Sequence, residues 1–113
     1  MNKLWIKVKN QVLGEKYDLS FSYVKIDEMK RLNKIYRKKD YPANVLSFPL
    51  SENEGEVLIN EKYLKNAGLS FYLFIHSILH LSGLKHSPKM DEKEVEIMKE
   101  FYPKDWGEIM SCF

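Results

Sequence analysis

Every histidine of the chain lies between residues 76 and 86, in the stretch HSILHLSGLKH. Imidazole is a base, a proton carrier and the commonest metal ligand, so this stretch is where its chemistry must happen. His76 and His80 are four residues apart. On a helix that spacing advances about 6 Å along the axis and turns about 400°, so both rings project to one side. Gly83 lets the chain reverse, and His86, three residues further on, can return to the same point. Three neutral imidazoles with an open fourth position describe a tetrahedral, catalytic zinc site with one Zn2+ per chain; a structural site would be closed by four protein ligands. The lone cysteine, Cys112, stands next to the C-terminus and does not enter the pattern. A single histidine on an apolar helix is ordinarily a hydrogen-bonded core residue, and a pair at this spacing is a weak signal. All three in one pattern, with glycine between the second and third, favour a metal.

The spacing H-x-x-x-H-x-x-G-x-x-H is also that of metzincin proteases, in which a glutamate general base follows the first histidine. Here that position is Ser77, whose hydroxyl is far too weak a base for the task. Peptide hydrolysis by that route is disfavoured. A metallopeptidase would need a glutamate from outside the motif, and Glu56 and Glu61 are the candidates.

A second group of residues carries charge. KRLNKIYRKK, from Lys30 to Lys39, holds six positive side chains. Such a run is ordinarily a solvated helix face. This one shares its helix with apolar Met29, Leu32, Ile35 and Tyr36, so the charges gather into a patch that ends at Arg37, Lys38 and Lys39. A basic patch beside a metal site suits a polyanion gripped through its phosphates, and arginine offers phosphate oxygens a planar fork that lysine lacks. Lys34, Lys38 and Lys39 are candidate substrate contacts, with Asn44 and Ser47 on the loop and strand that follow.

These residues need elements to hold them. Leu4, Ile6 and Val8 alternate with polar neighbours, predicting a half-exposed strand over residues 3–9. A loop around Gly14 leads to a second strand over residues 19–24, and about ten connecting residues predict that the two are antiparallel neighbours. Asp27 is placed to cap a helix reaching Arg37. NVLSFPL and EVLIN read as a third and a fourth strand, followed by a short helix over residues 61–66 that stops at Gly68. A helix capped by Ser70 is apolar almost all round, from Phe71 to Leu81, and therefore belongs in the middle of the domain, with Gly83 ending it. A last helix runs from Asp91 to Tyr102, before Pro103. The fold class is α+β: a small mixed four-stranded sheet packed by helices, with a zincin-like zinc motif on the central buried helix.

LNKIYRKKDYPANVLSFPL, then GEVLIN, then HSILHLSGLKH together resemble the YbeY family of bacterial endoribonucleases, or rRNA maturation factors, from about residue 20 to residue 102. The resemblance implies that His76, His80 and His86 bind zinc and that Arg37 is functionally important. It implies metal-dependent cleavage of single-stranded RNA, with 16S rRNA 3′-end maturation and ribosome quality control as its setting. It also implies a cytoplasmic protein working near the ribosomal small subunit. This chain departs from the family in having Ser77 where glycine is common and Leu84-Lys85 where Tyr-Asp is common. Family members also usually carry a long helix between the first two strands, where the segment here is too short to hold one.

Composition bounds the rest. A chain of 113 residues, 44% hydrophobic, is large enough to bury a core as one domain over residues 1–113. One cysteine makes no intrachain disulfide, which fits a reducing, cytosolic compartment. The N-terminus lacks the apolar core of a signal peptide, and the apolar run from Phe71 to Leu81 is too short to span a bilayer. A net charge of +2 alone names no partner. The reading is a zinc-dependent endoribonuclease acting on single-stranded RNA, with no DNA and no membrane partner. The alternatives are another zinc hydrolase such as a metallopeptidase, and a non-catalytic RNA- or ribosome-binding accessory protein.

Overall fold

A computed structural model describes all residues, 1–113. The elements are α1 (Lys3–Leu13), β1 (Asp18–Val24), α2 (Ile26–Arg37), β2 (Val45–Ser51), β3 (Glu54–Asn60), a 3-10 turn (Glu61–Tyr63), α3 (Ala67–Leu81), α4 (Pro88–Phe101) and α5 (Trp106–Ser111). The sheet has three strands in the order β1-β3-β2. β3 lies in the middle, parallel to β1 from Asp18↔Glu54 to Val24↔Asn60 and antiparallel to β2. The α+β class holds; the fourth strand does not.

The missing strand is the N-terminal one. Residues 3–13 form α1, so the expected antiparallel pairing of the first two strands falls with it. Leu4, Ile6 and Val8 do alternate, but Trp5, Val8 and Val12 also recur at three and four residues, and that period wins. Trp5 and Val8 are buried while Ile6 remains 44% exposed. Asn2 starts the helix, its side chain accepting from the Trp5 amide at 2.9 Å, and Gly14 stops it at φ +95°. Trp5 stacks on Phe74 of α3 at 4.4 Å between ring centroids and meets Phe21 of β1 edge-on at 4.9 Å. A strand with its apolar side inward at Leu4, Ile6 and Val8 would put Trp5 in solvent, where truncation costs almost nothing. In the observed packing Trp5→Ala is expected to cost about 3–5 kcal/mol, measured by denaturant unfolding.

The helix boundaries shift for local reasons. α3 begins three residues before Ser70, with Gly68 inside it and Asn66 as its cap, accepting from the Leu69 amide at 2.9 Å. The Ser70 hydroxyl instead donates to the Tyr63 carbonyl at 2.6 Å. α2 begins at Ile26, leaving Asp27 in its first turn rather than at the cap. The helix expected over residues 61–66 is a single 3-10 turn. α4 starts at Pro88 under a Ser87 cap, a favourable first position for proline. α5 has no counterpart in the sequence reading.

α3 is the central helix, as its all-round apolar composition requires. Phe71, Phe74, Ile75 and Ile78 are fully buried, in one cluster with Val57 and Ile59 of β3, Trp5 and Val8 of α1, and Met98 of α4. α2 covers the opposite face of the sheet through Met29, against Leu46, Leu58 and Ala43. β3 serves both layers because successive side chains alternate faces. The arrangement leaves β2 as a free edge between the end of α2 and one flank of α3, and the site lies on that edge.

Candidate metal centre and cleft

His76 and His80 leave α3 on the same flank. The helix ends at Leu81, with Ser82 as its cap, and Gly83 at φ +105° reverses the chain, a conformation that favours glycine over any side chain. The Gly83 amide donates to the His80 carbonyl and the Leu84 amide to the Leu79 carbonyl, which closes the turn. His86 then faces the other two: ring centroids are 4.7 Å apart for His76 and His80, 5.1 Å for His76 and His86, and 4.6 Å for His80 and His86. One nitrogen from each ring lies within 4.8 Å of the others, so the three could hold one metal ion.

Two of the rings are oriented from behind. His76 Nδ1 donates to Glu94 Oε2 at 2.5 Å, and His80 Nδ1 donates to the Leu84 carbonyl at 3.0 Å. With Nδ1 occupied on both, Nε2 is the nitrogen left for a ligand role, which is the arrangement that metal-binding histidines use. The donor set fits a metal on this ground as well as by distance. Partial burial, together with the neighbouring His76 and His86 rings, pulls the His80 pKa below its ordinary value, against the opposing pull of the Leu84 carbonyl. A neutral imidazole is the form that ligates.

Glu94 escaped the sequence reading. It sits on α4, 3% exposed, and a carboxylate that deeply buried must be hydrogen-bonded. Its second oxygen accepts from the Tyr72 hydroxyl at 3.0 Å. Burial and then the Glu94 charge raise the Tyr72 phenol pKa far above normal, so it stays a donor. The available signal was an acid between Met90 and Met98, the other two buried residues of α4 at four-residue spacing; an expected stripe centred on Val95, Met98 and Phe101 concealed it.

The histidines line a cleft of about 490 Å³ together with Val45 to Phe48 of β2 and with Tyr36 and Arg37 from the end of α2. Arg37 and Ser47 therefore face the same space as His76, His80, His86 and Ser77. Asn44 lies outside it, accepting from the Tyr63 hydroxyl at 2.8 Å beside an adjoining hollow that Glu94 and His76 also line. Lys34, Lys38 and Lys39 are exposed but do not line the cleft. Lys38 holds a left-handed conformation, φ +58°, where α2 ends, and Lys39 lies over the Tyr41 ring at 5.8 Å. Glu56 and Glu61, the possible peptidase bases, do not line the cleft either, and no carboxylate does. Tyr36 and Phe48 do line it and were not anticipated as site residues.

Residues 2–107 match the family model described as Endoribonuclease YbeY. The Endoribonuclease YbeY of Thermoanaerobacter sp. (strain X514) is 37% identical over 114 residues, covering 72% of each chain. That of Staphylococcus saprophyticus is 31% identical, covering 84% of this chain and 76% of its own, and that of Alkaliphilus metalliredigens is 30% identical, covering 80% and 72%. A solution structure of a Thermotoga maritima protein superposes with a TM-score of 0.54 at 29% identity, over 97% of this chain and 86% of that one. Matched to the family model along nearly its whole length, and at 30–37% identity to relatives of that name, the chain belongs to the YbeY family of endoribonucleases.

Proposed function

We propose that this protein is a zinc-dependent, single-strand-specific endoribonuclease of the cytoplasm that trims rRNA, with the 3′ end of 16S rRNA in the small subunit as its target and ribosome quality control as its setting. The observation that carries the reading is that Arg37 and the three histidines, far apart in sequence, line one cleft. His76, His80 and His86 would hold the ion, the first two through Nε2. When bound, zinc supplies a Lewis acid for the phosphodiester and acidifies the oxygen nucleophile. Arg37 places its guanidinium against the phosphoryl oxygens as charge builds there, and Ser47 offers a hydroxyl in the cleft. Lys34, Lys38 and Lys39 draw the strand in through its flanking phosphates. A peptidase reading lacks the carboxylate base it requires in the cleft, and a purely structural zinc would not call for an arginine lining the same cleft.

Cleavage of a single-stranded RNA carrying the 16S 3′ end, followed with and without a chelator, tests the proposal. Zinc-dependent cutting is expected; cutting that persists in metal-free protein sinks it. Glu94→Gln isolates the support behind His76. It keeps the size of the side chain but replaces a carboxylate acceptor with an amide, and losses of about 10- to 100-fold in metal affinity are typical when such a partner is changed. Competition against a chromophoric chelator reads this directly, and wild-type affinity in the variant would remove Glu94 from the site.

A further inference from the structure

We propose that Tyr36 and Phe48 form a stacking step for one unpaired nucleobase next to the scissile phosphate, and that this step is what restricts the cleft to single strands. The proposal rests on the endoribonuclease reading above and deepens it.

Tyr36 is 62% exposed, the most open aromatic side chain of the protein, with only Tyr41 and Phe113 also exposed among the others. It follows Met29 and Asn33, the buried residues of α2, along the same helix face, but remains largely uncovered. Its ring is nevertheless held. It meets Phe48 of β2 edge-to-face, centroids 5.1 Å apart with the planes at 66°, and Phe48 is anchored against the cluster of Met29, Leu46 and Leu58. The pair therefore presents an aromatic surface that is fixed on one edge and open on the other. Both rings line the cleft that contains Arg37 and the histidines.

The immediate neighbours of Tyr36 determine what it can receive. Arg37 is the next residue, and Lys34, Lys38 and Lys39 lie within three positions, all exposed. A flat π-surface flanked by cations matches a nucleotide, with the base on the ring and its phosphates on the charges, and every base has a face for stacking. A base in a duplex is already sandwiched between its neighbours and offers no free face. Charge alone would attract duplex and single strand alike, since both carry phosphates. The aromatic step makes the distinction. It also leaves base identity open, because stacking tolerates any sequence.

The test uses zinc-loaded protein and a single-stranded RNA oligonucleotide, intact or with one abasic nucleotide moved through the positions around the cut. Tyr36→Ala is expected to raise KM roughly tenfold, in line with the loss of one stacked base, with a smaller change in kcat. Tyr36→Trp is expected to restore binding. Ile35→Ala, on the same helix and 56% exposed but outside the cleft, should bind as wild type. The sharpest arm is the combination. At one position the abasic substitution should cost wild type the same factor as Tyr36→Ala, and should cost the Tyr36→Ala variant nothing. If the two losses multiply, or if Tyr36→Ala binds RNA as wild type does, the stacking step is wrong while the nuclease assignment stands. A wild-type protein that leaves RNA intact, or that cuts a denatured polypeptide instead, overturns both.

Discussion

Replacement of His80 by alanine is expected to strip most of the zinc from the purified protein and to abolish RNA cleavage, with the fold left standing. His80 is the middle of three donors, and its partners cannot close around an ion alone. Loss of a Lewis acid at that place would remove several kcal/mol of transition-state stabilisation, and each ~1.4 kcal/mol is tenfold in rate, so cleavage should fall by orders of magnitude. The structural cost is small by comparison. His80 is only partly buried, at the cleft surface, and its removal frees one backbone carbonyl, that of Leu84, to meet solvent at about 1 kcal/mol. The fully buried aromatics of α3, Phe71 and Phe74, point elsewhere and are untouched. Elemental analysis, circular dichroism and a cleavage assay on one preparation settle the matter. A His80→Ala protein with full zinc content would show that the three histidines are not the site.

Arg37→Ala is expected to separate chemistry from metal binding. Arg37 stands at the exposed end of α2 and carries no structural ion pair; the close pair on that helix is Arg31 with Glu28. Its loss should leave unfolding and zinc content at wild-type values while single-turnover cleavage drops on the order of a hundredfold or more, the usual consequence of deleting one preorganised donor to a charged transition state. Arg37→Lys should recover little, because a point charge cannot reproduce the planar fork. Neutralising Lys34, one turn earlier on α2, should instead weaken RNA binding modestly and flatten its salt dependence, the signature of a phosphate contact. An Arg37→Ala enzyme that cuts at the wild-type rate would leave the guanidinium as a solvated charge.

The parts of this molecule that were legible in the sequence are those whose pattern has only one solution. α3 is apolar on every side and can only be central. Its histidines four apart must share a flank, and Gly83 must turn the chain if His86 is to join them. β1, β2 and β3 each match a short run rich in β-branched or aromatic residues. α1 was obscured because two periods coexist in its first ten residues, and the sequence does not reveal that Phe74 and Phe21 wait to receive Trp5. α5 is a single short helix of six residues, below the length at which a helical period can be recognised. Which of the cations and polar residues face the cleft depends on where α2 stops. The helix ends at Arg37, leaving that residue and Tyr36 in the cleft and sending Lys38 and Lys39 outside it. Glu94 was readable only as an acid interrupting a buried stripe on a helix whose register had to be known first.

The placement of the histidines has a consequence for the order in which the site assembles. All three proposed ligands come from α3 and the turn that ends it, so bringing them together closes a loop of a few residues. Arg37 and Tyr36 reach the same cleft only after β2, β3 and the 3-10 turn have been laid between them and α3. The parallel pairing of β1 with β3 spans α2 and β2 in addition. Loop-closure entropy rises with the logarithm of the enclosed length, and contacts distant in sequence form late. The ligand set is thus a local device and the cleft a long-range one. In folding, the three histidines can therefore meet before the sheet that brings Arg37 and Tyr36 to them is complete.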